Sequence, residues 1–195
     1  MHPLPQPIAA VAYALRDLRA TWAVAGGWAI DLALGRATRE HADVDIAVFR
    51  DEQGALRAAL PGWRFAVAIR GSMAPWPEGE RLSLPVHEVH AHPPAGPPVE
   101  FLLNERGGAE WVYRRDPGVR RPLARALREG PSGVALLAPE IVLLYKSKAP
   151  RPADEHDFAV AQPLLDADAR AWLRTALLRA DPAHRWAAAL TPPHD

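Results

Sequence analysis

The most informative part of the sequence is residues 25–49, AGGWAIDLALGRATREHADVDIAVF. Near its end, Asp43 and Asp45 alternate with valine and isoleucine. Because side chains on a β-strand point alternately to its two faces, we expect the apolar residues to enter the core and both carboxylates to share the other face. Two carboxylates roughly 6–7 Å apart repel each other, and Mg²⁺ or Mn²⁺ between them removes that repulsion. The pattern predicts a metal site, and a solvated acidic face on an edge strand is the alternative interpretation.

A glycine pair precedes a predicted helix just upstream of these acids. The pattern predicts a short buried strand over residues 21–25, a turn at Gly26-Gly27, and a helix over residues 28–34 that ends at Gly35. Glycines allow close approach to the backbone, and the N–H groups at a helix N-terminus attract phosphate oxygens. The segment therefore predicts a phosphate-binding turn beside the two carboxylates, without the lysine of a Walker loop.

Together these motifs resemble the polymerase-beta-like nucleotidyltransferase superfamily, and within it the small bacterial aminoglycoside and lincosamide adenylyltransferases. The matching positions are Gly26, Gly27, Trp28, Ala29, Ile30, Asp31, Gly35, Arg39, His41, Asp43 and Asp45. The long spacer over residues 28–42 favours this branch over the polymerases. The resemblance implies an α/β (α+β) fold, in which a small mixed β-sheet is packed with helices and followed by a mainly helical C-terminal part.

The same resemblance assigns roles to residues around the two motifs. It implies that Gly26 and Gly27 bind the nucleotide phosphates, and that Arg39 and His41 brace the intervening loop or touch phosphate. Trp28 and Asp31 fall in the same signature and are expected to support the site.

The resemblance further implies a third carboxylate on a later strand, which binds metal and takes the proton from the attacking hydroxyl. Glu100 is the candidate, because it lies in the predicted strand VEFLLNE over residues 99–105. It meets the aspartates if its strand lies beside theirs. Glu105 and Glu88 are the alternative candidates. The other interpretation of Glu100 is that it is simply a surface glutamate at the end of a strand.

A second block, KSKAPRPADEHDF over residues 146–158, follows a predicted helix that starts at Pro139. Helical spacing from Ile141 places Lys148 on the inward-packing stripe, whereas Lys146 lies about 200° round the helix and is expected to face solvent or the rim. The block resembles the lysine, arginine and Asp-x-x-Asp segment of nucleotidyltransferases of antibiotic-resistance and abortive-infection type. That resemblance implies that Lys148 approaches the nucleotide phosphates.

The remaining polar residues of this block have two open interpretations. Asp154 and Asp157 either cap the next helix and stabilise its dipole, or orient Lys148 and Arg151. Both roles are compatible with the same positions. We therefore expect Lys146, Arg151, Asp154 and Asp157 to support the site.

Composition sets the broad class. The chain has 195 residues, of which 49% are hydrophobic and 24% charged, and it has no cysteine, which excludes disulfides and thiolate zinc sites. It has no membrane-length apolar run, and its first seven residues lack the features of a signal peptide, so we expect a cytoplasmic protein. We expect a catalytic core over residues 1–108 and a C-terminal part over residues 109–195 that completes the cleft.

Charge favours a small acceptor over nucleic acid. The 23 basic and 23 acidic residues balance, so the chain has no overall field that attracts nucleic acid. One group of arginines departs from this balance of charge. We expect it to form a solvated basic face or to reach the triphosphate, and because of it a nucleic-acid acceptor remains an alternative. Its members are Arg114, Arg115, Arg120, Arg121, Arg125 and Arg128.

Other segments complete the predicted order of elements. The pattern predicts helices over residues 8–20, 52–60, 166–180 and 184–190, strands over 63–70, 81–84 and 86–92, and glycine- and proline-rich loops over 71–77 and 92–98. His87, His90 and His92 do not predict a zinc site, because strand alternation puts His87 on the face opposite the other two.

These observations predict a metal-dependent nucleotidyltransferase. It would move a nucleoside monophosphate, AMP from ATP, onto a hydroxyl of a small molecule such as an aminoglycoside- or lincosamide-like antibiotic, and release pyrophosphate. Asp43, Asp45 and Glu100 would hold Mg²⁺ or Mn²⁺. The alternatives are an enzyme that modifies tRNA or protein in a toxin–antitoxin or abortive-infection system, and a nucleotide-binding relative that has lost activity.

Overall fold

The computed structural model describes residues 3–69 and 71–191. Met1 and His2, in the segment predicted not to be a signal peptide, and Arg70, the predicted end of one strand, lie outside the described residues. Within these ranges ten strands form one mixed sheet with the order β4-β3-β5-β6-β2-β1-β10-β9, and β7 and β8 extend from β6. The strands are β1 Trp22–Val24, β2 Asp45–Phe49, β3 Arg64–Ile69, β4 Ser72–Pro75, β5 Glu88–His92, β6 Val99–Gly107, β7 Glu110–Val112, β8 Arg120–Pro122, β9 Leu127–Glu129 and β10 Ala135–Leu137.

Helices surround this sheet and dominate the C-terminal part. They are α1 Gln6–Ala14, α2 Gly26–Leu34, α3 Gly54–Ala59, α4 Leu123–Ala126, α5 Pro139–Lys146, α6 Pro152–Ala161, α7 Ala167–Ala180 and α8 Arg185–Ala189. The predicted α+β class, with a mixed sheet followed by a mainly helical part, is confirmed. None of the helices in the described residues has the length and apolar character needed to cross a membrane.

The centre of the sheet positions the predicted acids. β2 pairs antiparallel with β1 and parallel with β6, and the second pairing sets Asp45 directly opposite Glu100. The peptide N–H of Glu100 also donates to the carbonyl of Val44 at 3.0 Å. The strand of Glu100 therefore lies beside the strand of Asp45, which was the condition for Glu100 to meet the aspartates.

The predicted alternation of β2 is only partly correct. Ile46 and Val48 are buried, as predicted, but so are Ala47 and Phe49, because a central strand is covered on both faces. The strand begins at Asp45, so Asp43 lies just before it in an exposed bend. Carboxylates occur where the strand emerges from the core, and apolar residues fill the rest.

Helix boundaries largely follow local signals, with two instructive exceptions. α2 ends at Gly35, whose φ of 71° is a left-handed conformation suited to glycine, and α5 starts at Pro139, as predicted. However, α2 begins at Gly26, so the glycine pair forms the first helical turn rather than a separate one. α1 ends at Ala14, well before the predicted residue 20.

Two predictions around the outer strands were wrong. The expected loop over residues 71–77 contains the edge strand β4, and residues 81–84 form no strand. The backbone of Leu82 is hydrogen-bonded by the side chain of Gln53 instead of by a neighbouring strand. This side chain accepts from the Leu82 N–H at 2.7 Å and donates to the Leu82 carbonyl at 3.1 Å. A buried side-chain amide thus satisfies a backbone that the hydrophobic pattern assigned to a hairpin.

Candidate active site

A cleft of about 800 Å³ opens where β1 ends and where β2 and β6 begin. Trp28, Asp31 and Asp157 do not line it. The predicted site residues that line it are Gly26, Gly27, Arg39, His41, Asp43, Asp45, Glu100, Lys146, Lys148, Arg151 and Asp154. Residues from distant parts of the sequence thus share one cavity.

Both glycines of the pair are required by their surroundings. Gly26 has φ 58°, and a Cβ on it would overlap the carboxylate of Asp45. A Cβ on Gly27 would overlap the guanidinium of Arg39 and the ring of His41. Only glycine lets the first turn of α2 approach these three side chains so closely. The N-terminal peptide groups of α2 consequently lie beside the acidic residues.

The loop between α2 and β2 is fixed by Asp31, which is 2% exposed. Its carboxylate accepts from the Thr38 N–H at 3.0 Å and from the Thr38 hydroxyl at 2.6 Å. One oxygen also lies 2.7 Å from His41 Nε2, and the ring of His41 lies 4.3 Å from that of Trp28. Asp31 and Trp28 therefore hold the loop from behind the cleft wall.

A second polar network connects this loop to the C-terminal helices. The guanidinium of Arg39 donates to both carboxylate oxygens of Asp157, each at 2.8 Å. The Lys146 ammonium lies 2.8 Å from Asp154 Oδ1 and 3.0 Å from Asp157 Oδ2. Burial raises the pKa of both aspartates, but hydrogen bonds outweigh it. Those from Arg151 and Lys146 lower the pKa of Asp154 to about 2, and those from Arg39 and Lys146 lower the pKa of Asp157. Both carboxylates therefore stay ionised, and they hold Lys146 at the cleft.

The prediction for the two lysines was wrong in orientation. Lys146 has a side chain only 13% exposed within this network, whereas Lys148 is exposed at the rim of the cleft. The cause is the end of α5 at Lys146, because helical spacing cannot be extended to a residue beyond the helix.

Asp154 fulfils both of the open interpretations. It accepts from the Arg151 N–H at 3.0 Å, which caps α6, and from Arg151 Nε at 3.0 Å, which orients that side chain. Asp157 orients Arg39 and Lys146 rather than Lys148.

The three predicted acidic ligands gather at one edge of the cleft. Burial, followed by repulsion from Asp43 and Glu100, raises the pKa of Asp45 to about 7. Burial also raises the pKa of Glu100, against the opposing effect of His90, whose Nδ1 lies 3.2 Å from Glu100 Oε1. Within residues 3–69 and 71–191, no three His, Cys, Asp or Glu side chains converge as a ready-made metal site. The carboxylates are neighbours, with Glu100 turned toward His90.

The alternative glutamates occupy other environments. Glu105 accepts from Arg50 Nε at 2.6 Å, and Arg50 is held in turn by the carbonyl of Val86 at 2.8 Å. Glu88 lines the cleft but pairs with His87 at 3.2 Å, and a hydrogen bond from that imidazole lowers the pKa of Glu88. Glu100 is therefore the glutamate that lies opposite Asp45.

The arginine group forms no single solvated face. Arg121 is buried against Glu140 at 2.7 Å, and Arg120 pairs with Glu110 at 3.3 Å. Arg114 and Arg115 instead line the cleft. Arginines that are close together in the sequence therefore lie in three different places in the fold: the core, the surface and the cleft.

Comparisons with known proteins agree with this architecture. The family model for aminoglycoside-2''-adenylyltransferase matches residues 7–75. The solution structure of the antibiotic-resistance factor ANT(2'')-Ia has a TM-score of 0.60 and 19% identity, covering 93% of this chain and 92% of that chain. The crystal structure of ANT(2'')-Ia in complex with adenylyl-2''-tobramycin has a TM-score of 0.60 and 19% identity, covering 89% and 97%. The lincomycin-bound lincosamide antibiotic adenylyltransferase LnuA has a TM-score of 0.57 and 13% identity, covering 84% and 100%.

No curated protein sequence matches the chain. The fold is the one found in these nucleotidyltransferases, as the sequence predicted, and residues 7–75 also match the family model. Within that class it is similar to the antibiotic adenylyltransferases, and the predicted resemblance to this branch is confirmed. The family match covers the glycine pair and both aspartates, while the likeness in fold extends over most of the chain.

Proposed function

We propose that the protein transfers AMP from ATP to a hydroxyl group of a small molecule and releases pyrophosphate. The observation that carries this proposal is the pairing of Asp45 with Glu100 directly beside the glycine turn, in a cleft that also holds Lys146. A phosphate-binding helix terminus, acidic metal ligands and a fixed cation are the parts that phosphoryl-type transfer requires.

The chain's own groups would bind the triphosphate from two sides. The peptide N–H groups of Gly26 and Gly27 and the dipole of α2 would hold phosphate oxygens. Lys146, fixed by Asp154 and Asp157, would neutralise charge on the departing pyrophosphate. Lys148 and Arg151 would contribute further positive charge from the rim.

The donor set suits a hard divalent cation. Asp43, Asp45 and Glu100 offer carboxylate oxygens, and burial together with repulsion from Asp43 and Glu100 raises the pKa of Asp45. These residues would hold Mg²⁺ or Mn²⁺, with Glu100 rotated away from His90. A cation bound there would bind the triphosphate and acidify the acceptor hydroxyl.

Glu100 would accept the proton of the acceptor hydroxyl. The hydroxyl oxygen then forms a bond to the α-phosphorus of ATP, and the bond from that phosphorus to the β-phosphate bridging oxygen breaks. AMP is thereby joined to the acceptor, and pyrophosphate leaves with the bond electrons.

Two of the similar structures indicate acceptors to examine first. The ANT(2'')-Ia complex contains adenylyl-2''-tobramycin, and LnuA is bound to lincomycin. We therefore propose a small hydroxylated acceptor, with these antibiotics as initial candidates. The dispersed arginine group gives no specific support to a nucleic-acid acceptor.

The first test is nucleotide-dependent thermal stabilisation. Melting would be measured with ATP, GTP, CTP and UTP, each with and without Mg²⁺, for the native chain and for Asp45→Asn, with every shift referred to the variant's own baseline. We expect ATP to stabilise the native chain only with Mg²⁺, and Asp45→Asn to lose that shift. If millimolar nucleotide shifts nothing, the proposal is wrong. A positive result leads to pyrophosphate-release assays with tobramycin and lincomycin.

A further inference from the structure

One end of the cleft, here named the Glu88 end, contains none of the residues assigned above to phosphate or metal. It is lined by Glu88, Leu102, Asn104, Arg114 and Tyr145. Glu88 lies directly opposite Leu102 in the register of β5 with β6. Because Leu102 follows Glu100 by two residues, the Glu88 end begins roughly 7 Å along the strand from the reacting groups.

The order of the strands gives a direction to each part of the proposed reaction. The glycine pair follows β1, which lies on the far side of β2 from β6, so pyrophosphate would leave toward β1. The attacking and leaving oxygens of such a transfer lie in line, so the acceptor hydroxyl would approach from the β6 side, at Glu100. The nucleoside is joined to the α-phosphorus through a third oxygen, which points away from that line. Along the strands the cleft continues into the Glu88 end, which is therefore left to the nucleoside.

The charges of the Glu88 end compensate each other. A hydrogen bond from His87 lowers the pKa of Glu88 against the effect of burial, and Arg114 adds to that lowering. Burial lowers the pKa of Arg114, and Glu88 is one of the groups that oppose this effect. Glu88 therefore stays ionised and can only accept hydrogen bonds. A neutral ligand that donates a hydrogen bond suits this end of the cleft.

Tyr145 and Arg114 lie together in the same compartment. The Arg114 guanidinium lies 5.5 Å from the centroid of the Tyr145 ring. The Tyr145 hydroxyl lies 3.5 Å from Oδ1 of the buried Asn104, which also accepts from Trp111 Nε1 at 2.9 Å. These contacts hold the ring in place. Aromatic rings and guanidinium planes are the surfaces on which nucleobases stack.

A nucleobase has the properties that this compartment requires of a ligand. It is flat and neutral, and adenine carries a hydrogen-bond donor in its 6-amino group. That group would meet Glu88 as donor to acceptor. Hypoxanthine carries a carbonyl at the same position, and it would set two acceptors against each other, which leaves both unpaired.

We propose that the Glu88 end binds the nucleobase of the donor nucleotide, with the base stacked on Arg114 and Tyr145 and its exocyclic amino group donating to Glu88. This inference rests on the proposed transferase function, because that function sets the α-phosphate beside Asp45 and Glu100. It makes Glu88 the residue that selects ATP, and it leaves the acceptor on the other side of the reacting phosphorus.

The test compares nucleotides that differ only at the 6-position of the purine. Calorimetric titration with Mg²⁺ present would measure the dissociation constants of ATP, of purine riboside triphosphate, which lacks the amino group, and of ITP, which carries a carbonyl there. The variants are Glu88→Ala, Glu88→Gln and Glu110→Ala. Glu110 is the matched control, because it is a strand glutamate that pairs with Arg120 outside the cleft. Unchanged baseline melting and circular dichroism would show that each variant folds, and the isosteric Glu88→Gln keeps the test valid if Glu88→Ala does not.

We expect the native chain to bind ATP about tenfold more tightly than purine riboside triphosphate, and ITP more weakly than either. Glu88→Ala should lower the affinity for ATP about tenfold and leave that for purine riboside triphosphate within about twofold, so that the preference disappears. Glu88→Gln should shift the preference toward ITP, because its amide can donate to the carbonyl. Glu110→Ala should retain the native affinities for all three nucleotides.

Three results would overturn this assignment and leave the transferase proposal intact. If Glu88→Ala weakens ATP and purine riboside triphosphate equally, Glu88 contacts the sugar or the phosphates instead of the base. If the native chain shows no preference for the amino group, or Glu88→Ala retains that preference, the base is recognised elsewhere. If the variant loses only the thermal stabilisation by tobramycin or lincomycin, the Glu88 end belongs to the acceptor. Failure of all three nucleotides to bind the native chain would instead show that the transferase proposal is wrong, and the base assignment with it.

Discussion

At the scale of single residues, Asp45 links stability and function. Its carboxylate is largely buried beside Asp43 and Glu100, and these surroundings raise its pKa to about 7. An acid whose pKa is higher in the folded protein than in the unfolded chain binds more protons when folded. Stability is therefore lost as the pH rises from the unfolded pKa near 3.8 through the folded value near 7. A bound divalent cation would restore it.

Asp45→Asn should therefore stabilise the metal-free protein while removing ligand binding. The amide cannot ionise, so the repulsion with Asp43 and Glu100 is lost, and we expect a gain in the free energy of unfolding of about 1–2 kcal/mol at pH 8 and little change at pH 4. Urea denaturation at the two pH values measures it. Asp17→Asn, at a surface position 76% exposed, is the control and should change neither. A loss of stability at pH 8 would contradict the assigned repulsion.

Gly27→Ala tests the close approach of the helix to its loop. The new methyl group would overlap the side chains of Arg39 and His41, so the loop must shift away from α2. We expect a loss of about 1–3 kcal/mol in unfolding free energy and at least a tenfold loss of nucleotide affinity.

Gly54→Ala is the matched control for this substitution, because a Cβ there meets nothing within 4 Å. It should leave nucleotide affinity unchanged, and stability unchanged or slightly higher. Normal nucleotide affinity in Gly27→Ala would show that the phosphates bind elsewhere.

At the scale of secondary-structure elements, the junction of α5 and α6 fixes the cations of the cleft. Asp157 is 1% exposed, and it holds Arg39 from the loop after α2 as well as Lys146 from α5. Three segments therefore meet at one carboxylate. Helix α6 is positioned by its proline start and by the cap from Asp154, which places Asp157 one turn further along the same helix.

Asp157→Asn should loosen all three segments. The variant leaves two largely buried cations with reduced compensation, and we expect a loss of about 2–4 kcal/mol in unfolding free energy, with weaker nucleotide binding even where the variant is fully folded. Urea denaturation and calorimetric titration of Mg²⁺ and ATP measure the two effects. Asp166→Ala is a helix-cap control on α7, expected to lose about 1 kcal/mol of stability but no nucleotide affinity. Equal effects of the two variants on affinity would contradict a specific role for Asp157.

Local patterns predicted the elements that depend on neighbouring residues. The glycine-terminated α2, the proline-initiated α5 and the acids before a buried strand all carry their signals within a few residues. Those signals, together with the resemblance, were sufficient for the fold class, and most of the site residues they predicted line the cleft.

Contacts over long distances in sequence were not predictable in the same way. The pairing of Arg39 with Asp157 spans 118 residues, and its individual residues have no distinguishing local pattern. Asp45 lies opposite Glu100 because β2 pairs in parallel with β6. The sequence could state this pairing only as a condition, because it does not show which strands are neighbours. Lys146 and Lys148 exchanged places because the end of α5 was set two residues too late. Two residues at a helix end thus decided which lysine enters the network.

At the scale of the whole molecule, the cleft is assembled by both ends of the chain. The glycine turn and aspartates come from the first 45 residues, while Lys146, Arg151 and Asp154 come from the C-terminal helices. β10 pairs in parallel with β1 and leads directly into α5, which sets the C-terminal cations beside the N-terminal site. Ligands that bind across this cleft should therefore stabilise the fold as a unit.

Magnesium should stabilise the whole protein more strongly as the pH rises. Metal ligands must be deprotonated, and the pKa of Asp45 is raised to about 7, so protons compete with the cation below that pH. With ATP held constant and saturating, we expect a Mg²⁺-induced increase in melting temperature of about 3–6 °C at pH 8 and less than half of that at pH 5.5. Sodium chloride at matched ionic strength controls for screening, and Asp45→Asn should abolish the Mg²⁺ effect at both pH values. Equal shifts at pH 5.5 and pH 8 in the native chain would show that protonation of Asp45 does not compete with binding of the cation. Metal would then have to be bound by Asp43 and Glu100 alone.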